Sequence, residues 1–188
     1  MMYFEEMVYE KITDNAQGLE KGHYENCSFV NCDFSSVDFS GFNFTDCSFK
    51  ECNLSMTKLL DTQFNDISFT NCKVLGLKFE MCNPFLFKVS FFDCYIQLSS
   101  FYGVKLKNTV FRNCKVLESD FTETDLSSTV FDACDLLHTT FEHTILIKTD
   151  FSSSFNFSIH PEVNKLGKTR FGRHTLEGLL HKYDIVIS

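Results

Sequence analysis

From Cys27 to Phe49 the chain reads CSFVNCDFSSVDFSGFNFTDCSF, and within it Phe29, Phe34, Phe39, Phe44 and Phe49 recur at every fifth residue. A helix repeats its buried face near 3.6 residues and a strand at 2.0. A sustained spacing of five fits neither, and implies a chain that turns one corner per repeat. Short internal periods of this kind belong to solenoids, in which each unit buries its apolar face only by stacking on the next.

Large apolar residues keep this step from Tyr24 through Phe79, and again from Leu86 through Phe151. The gap of seven between Phe79 and Leu86 is five plus a two-residue insertion, centred on Cys82-Asn83-Pro84-Phe85 and placed near 80–86. The cysteines set the larger repeat. Eight of the nine lie two residues before a central position; Cys32, Cys52 and Cys72 are spaced by twenty, as are Cys94, Cys114 and Cys134, with a step of twenty-two between the sets. One coil is therefore four pentapeptides. The same frame gathers Phe29, Phe49, Phe69, Phe91, Phe111, Phe131 and Phe151 into an all-Phe column, and Phe34, Leu54, Val74, Ile96, Val116 and Leu136 into a second, mostly aliphatic one. The position two before each centre is small almost throughout, as a narrow square tube filled by four large side chains per coil requires. The 26 centres make about 6.5 coils. At the ~4.8 Å strand spacing this is a tube of roughly 31 Å.

Adjacent coils bring cysteine Cα atoms within disulfide range, but stacked in-register side chains point in parallel, so the thiols read as small inward core residues. The six His residues are scattered, with His138 and His143 on outward corners. The sequence offers no metal-ligand cluster, nucleophile–base pair, phosphate loop or acid pair, and it predicts neither an enzyme nor a cofactor site.

Three regions follow. Residues 1–23 read as a capping strand, Val8 to Ile12, and a turn-prone loop, Thr13-Asp14-Asn15-Ala16; residues 24–154 are the repeat. In 155–188, Pro161 falls where a centre belongs, and Leu166 and Phe171 return to the count in a looped last coil. Leu176, Leu179, Leu180 and Tyr183 then follow i, i+3, i+4, i+7, a short amphipathic helix, before a terminal strand carrying Ile185 and Ile187. This apolar face either joins two copies or caps the last coil.

The net charge of -8 disfavours nucleic acid and favours a basic partner. The charge is uneven around the tube. The side centred on Phe39, Leu59, Phe79, Phe101, Phe121 and Phe141 carries Asp38, Asp61, Glu80, Asp120, Glu123 and Glu142 against Lys58 and Lys78, either a partner-binding face or an ordinary solvated surface. Phe85, Phe87 and Phe92 around the insertion offer a partner contact, or a bulge that tucks Phe85 or Phe87 back against the rod. With no basic–apolar leader and no apolar run long enough to span a bilayer, a soluble cytoplasmic protein is expected, in which the sequons at Asn26, Asn43, Asn53 and Asn156 are by-products of the repeat.

Stretches such as Cys32-Asp33-Phe34-Ser35-Ser36 and Thr124-Asp125-Leu126-Ser127-Ser128 resemble the pentapeptide-repeat family. The resemblance implies an all-β right-handed quadrilateral β-helix, here with a short C-terminal α-helix. The stretch from Leu19 to Phe29, the cysteine spacing and the segment from Leu176 to Ile187 look like the quinolone-resistance (Qnr-type) branch. That likeness implies a homodimer joined through the C-terminal helix, a rod that imitates B-form DNA, and DNA gyrase or topoisomerase IV as partner. The large projecting loops of some members have no counterpart here. The alternative is a scaffolding module for another protein.

Overall fold

The residue two past nearly every centre adopts a left-handed backbone, with φ between 48° and 68° at twenty-five non-glycine residues and three glycines. This is the corner of the coil. Ten of the twenty-five are Asn or Asp, the side chains that best tolerate that region, which explains the polar residue that follows so many of the phenylalanines. The computed structural model, which describes residues 2–13, 19–183 and 185–186, thereby closes into a four-sided parallel β-solenoid of about eight turns.

The four sides differ in regularity. One is a nine-stranded parallel sheet running from Val8–Glu10 through Ser48–Lys50 and Val110–Arg112 to Arg170–Phe171. A second is built from Met2–Glu5, Gly22–Glu25, Asn43–Thr45 and Gln63–Asn65, and later from Ile145–Ile147 and Lys165–Gly167. A third holds Lys73–Leu75, Tyr95–Gln97 and Lys115–Leu117. Among the described residues, the side centred on Phe39, Leu59 and Phe101 is joined by isolated bridges such as Asp38↔Lys58 and Ser100↔Asp120 rather than by named strands.

Inside the tube the all-Phe column is one stack. From Phe29 to Phe171 successive ring centroids lie 4.7–5.6 Å apart with planes no more than 18° from parallel. Neighbouring columns meet edge to face, as Phe91 and Phe101 do at 85°. The small inward position is more than a space-saver. Thr57, Thr124 and Thr144 donate their hydroxyls to the carbonyls of Phe34, Phe101 and Phe121, each twenty-three residues earlier, at 2.7–2.9 Å. Cys47, Cys52 and Cys72 direct their thiols at Tyr24, Phe29 and Phe49 in the same way. All nine cysteines are buried and free.

The structure revises the ends and the insertion. Residues 1–23 are not a lone capping strand. Met2–Glu5 pairs with Gly22–Glu25 and Val8–Glu10 with Ser28–Val30, so that Phe4 stacks on Tyr24 and Tyr9 on Phe29 in the register of the coils below. The turn expected at Thr13 to Ala16 lies, after Thr13, outside the described residues. The register is still twenty where the Asn83 amide bonds the Thr62 carbonyl, as the Gln63 amide bonds that of Phe42, and is twenty-two at Ile67↔Val89, which places the extra residues between 83 and 89. Leu86 is accordingly no centre: it sits at φ 56° with 57% of its surface exposed, while Phe87 packs on the core beside Phe64 and Phe79.

At the other end the helix is 3-10 rather than α, over Arg173–Leu179 and His181–Tyr183. Its tighter i→i+3 bonds follow from docking on the last coil, where Gly178 is buried and its carbonyl accepts the Ile159 amide. Ile185 and Val186 are exposed and in no strand; Asp184, Ile187 and Ser188 lie outside the described residues.

Candidate functional site

The acidic side is built of turns. On that side both aspartates that stand immediately before a centre turn their side chains back: Asp38 accepts the Ser40 amide at 2.9 Å and Asp120 the Thr122 amide at 2.8 Å. Half the carboxylate of each is thus committed to shaping the coil. The hydrogen bonds from Ser40 hold the Asp38 carboxyl below the usual range, with smaller help from Lys58. Asp61 accepts from the Asn83 side chain at 2.8 Å.

Asp120, Glu123 and Glu142 come together on two consecutive coils, where Phe121 stacks on Phe141 and the Glu123 amide donates to the Glu142 carbonyl at 2.9 Å. The nearby Glu123 carboxylate raises the phenol of Tyr102, on the coil before, above its ordinary value. Glu123 and Glu142 are exposed and Asp120 half-buried.

Asp38 and Asp61 do not join this cluster. Lys58 and Lys78 stand between, together with Met56, Leu60 and Met81, whose exposures are 58%, 56% and 44%. Glu80 is half-buried, and its Oε2 is a buried atom without a hydrogen-bond partner. It lines a cavity of about 220 Å³ with Phe79, Cys82, Phe87 and Tyr102. The apolar residues on this side were visible in the sequence as Met and Leu at outward positions that elsewhere carry Ser, Thr, Asp or Lys; a count of charges alone passes over them.

Around the insertion Phe85 is 66% exposed, while Phe92 is half-buried. At the C-terminal end the apolar face divides. Leu179 packs against the core and Leu180 is half-buried, whereas Leu176, Tyr183 and Ile185 stay exposed. Glu162 anchors this end, accepting from the Tyr183 hydroxyl at 3.0 Å and pairing with Lys182.

The interior thiols are sheltered. Burial pushes the Cys47 thiol up to about 12 and raises Cys82 as well, so both stay protonated and unreactive. Among the described residues no group of three or more His, Cys, Asp or Glu side chains is placed to hold a metal ion, and no helix is long and apolar enough to cross a membrane.

Two family models match the chain, a pentapeptide repeat region over residues 22–84 and pentapeptide repeats (8 copies) over residues 99–136. Together they span more than half of it. No curated protein matches. Among solved structures, a trypsin-treated variant of QnrB1, a plasmid-mediated fluoroquinolone resistance protein, is similar over 100% of both chains at 18% identity, with a TM-score of 0.57. Full-length QnrB1 is similar over 98% of this chain and 100% of its own at 21% identity, with a TM-score of 0.47. HetL, a pentapeptide repeat protein involved in heterocyst differentiation regulation from a Nostoc cyanobacterium, is similar over 91% and 83% at 11% identity, with a TM-score of 0.44.

Proposed function

We propose that this chain, which belongs to the pentapeptide-repeat family, is a non-enzymatic binding protein whose acidic rod engages DNA gyrase or topoisomerase IV in place of DNA and so reduces quinolone action. The observation that carries this reading is the strip formed by Asp120, Glu123 and Glu142 across consecutive coils of a rod whose chain bears a charge of -8. Carboxylates held close together on a stiff scaffold present a fixed field to a basic groove, and such fields steer association and select partners. The likeness of the whole chain to a fluoroquinolone resistance protein supports the choice of partner. The exposed apolar residues Leu176, Tyr183 and Ile185 support a homodimer through the C-terminal end, which would double the length of the acidic rod.

The test is supercoiling by purified gyrase in the presence of a quinolone. The protein should raise the drug concentration needed for half-inhibition; unchanged inhibition at micromolar protein would overturn the reading. A second reading, a scaffold for some other protein, is favoured by the apolar residues Met56, Leu60 and Met81, which break the acidic side in its middle coils.

A further inference from the structure

The break in the acidic side is itself a groove. Met56, Leu59, Leu60, Gly76 and Met81 line a depression of about 450 Å³ with Lys58 and Lys78. Its shape follows from the corners. Gly76 sits at φ +68°, and a Cβ there would lie 2.5 Å from the Met56 sulfur, so the Met56 side chain lies across the bare glycine. Leu60 follows the buried centre Leu59 and points outward, where the corresponding positions of other coils carry Ser40 and Thr122. Three flexible or branched apolar side chains on consecutive coils thus meet water with no chain folded over them.

The electrostatics are equally unresolved. Lys58 and Lys78 hold the same position, immediately before the centre, on consecutive coils, and like charges placed side by side on neighbouring strands repel. Ion pairs in the structure form at Lys88, Lys107, Arg112, Arg170 and Lys182, and among the described residues neither Lys58 nor Lys78 has a carboxylate within 4.0 Å. Among the described residues the one carboxylate that lines the groove, that of Asp38 across from Lys58, gives one oxygen to the Ser40 amide and is shared by two lysines, so the groove keeps a net positive charge.

We propose that this groove docks an acidic amphipathic segment of a partner protein, which seats an apolar side chain among Met56, Leu60 and Met81 and a carboxylate between Lys58 and Lys78. Methionines suit such a surface because their unbranched, polarizable side chains repack around different shapes. The carboxylate relieves the lysine repulsion, and the apolar contact supplies the affinity, since exposed ion pairs alone contribute little. The groove sits beside the acidic strip without using its charges, so the proposal stands independently of the gyrase reading.

The experiment uses the full chain and two fluorescein-labelled synthetic peptides, one alternating Leu with Glu and one alternating Leu with Lys, in anisotropy titrations at physiological salt. The Leu/Glu peptide should bind saturably. The variant Leu60→Asp, and separately Lys58→Glu with Lys78→Glu, should each weaken it by about tenfold or more, whereas Lys88→Glu, on another side of the rod, leaves it unchanged. Because Leu60 and both lysines are exposed, these variants keep the wild-type melting transition. Equal or tighter binding of the Leu/Lys peptide, or indifference to Leu60→Asp, would overturn the proposal. So would self-association of the protein that Leu60→Asp abolishes, because the occupant would then be a second copy.

Discussion

Phe79 and Phe101 stack with centroids 4.5 Å apart and planes 6° from parallel, although twenty-two residues separate them and twenty separate Phe101 from Phe121 in the same column. The tube carries most of its insertion at the surface, in the bulge with exposed Phe85 and Leu86, and the Phe79 column passes it unbroken while Phe87 takes up the core position beside Phe64.

Deleting Phe85 and Leu86 together should therefore leave a folded solenoid. Shortening a surface loop changes closure entropy only slightly, so the stability change should stay within about 1 kcal/mol. Urea denaturation followed by circular dichroism checks this. Loss of the cooperative transition would mean that the bulge supports the core.

Removing a stacked ring is a different matter. Phe111 is fully buried between Phe91 at 5.0 Å and Phe131 at 4.7 Å. Phe111→Ala should cost about 3–5 kcal/mol, because stacked coils above and below cannot collapse into the cavity. Exposed Phe85→Ala should change stability by less than about 0.5 kcal/mol in the same assay.

The cap at the C-terminal end depends on a residue without a side chain. A Cβ on Gly178 would lie 2.4 Å from the Phe157 carbonyl oxygen and 2.6 Å from its ring. Gly178→Ala should push the 3-10 segment off the last coil and expose the Ile159 amide, which donates to the Gly178 carbonyl at 2.9 Å. Hydrogen exchange at Ile159 should accelerate by about tenfold or more, while exchange in the middle coils stays unchanged.

Acid should weaken the fold through the turn aspartates. Hydrogen bonds from Ser35 and Ser40 hold Asp33 and Asp38 below the ordinary carboxylate value. A carboxyl depressed in the folded state stabilises fully above its unfolded pKa, near ~3.9, and that contribution is lost as pH falls through the folded value. The urea midpoint should thus be flat above about pH 5 and fall below about pH 4. Asp38→Asn keeps an acceptor for the Ser40 amide without the titrating charge and should reduce the acid loss; an unaltered pH profile would show that these turns do not govern it.

The solenoid and its columns were legible in the sequence because period five has one physical solution, and because Phe29 to Phe151 sort by size into a stack that only a repeating coil provides. The first coil was harder to read. Phe4 and Tyr9 keep the step of twenty to Tyr24 and Phe29, but fifteen residues rather than five separate Tyr9 from Tyr24, and the count breaks there. Leu86 misled for the opposite reason: it satisfies the count and yet sits at a corner, because two extra residues let Phe87 reach the core instead. At the acidic side, charge was readable and direction was not. Asp38 and Asp120 turn back onto their own coil, a local hydrogen bond that composition does not reveal, and Lys58 and Lys78 divide residues that a tally by side places together.

The most direct measurement is a titration of the full chain against purified DNA gyrase by calorimetry, with the neutralised variant Asp120→Asn, Glu123→Gln, Glu142→Gln run beside it. Asp120→Asn retains an acceptor for the Thr122 amide, so this variant should melt as the wild type does. The wild type should bind at micromolar concentration or below, lose affinity as salt rises, and bind about tenfold or more tightly than the variant. Absence of binding at micromolar concentration, or equal binding by the neutralised variant, would contradict an acidic rod that takes the place of DNA.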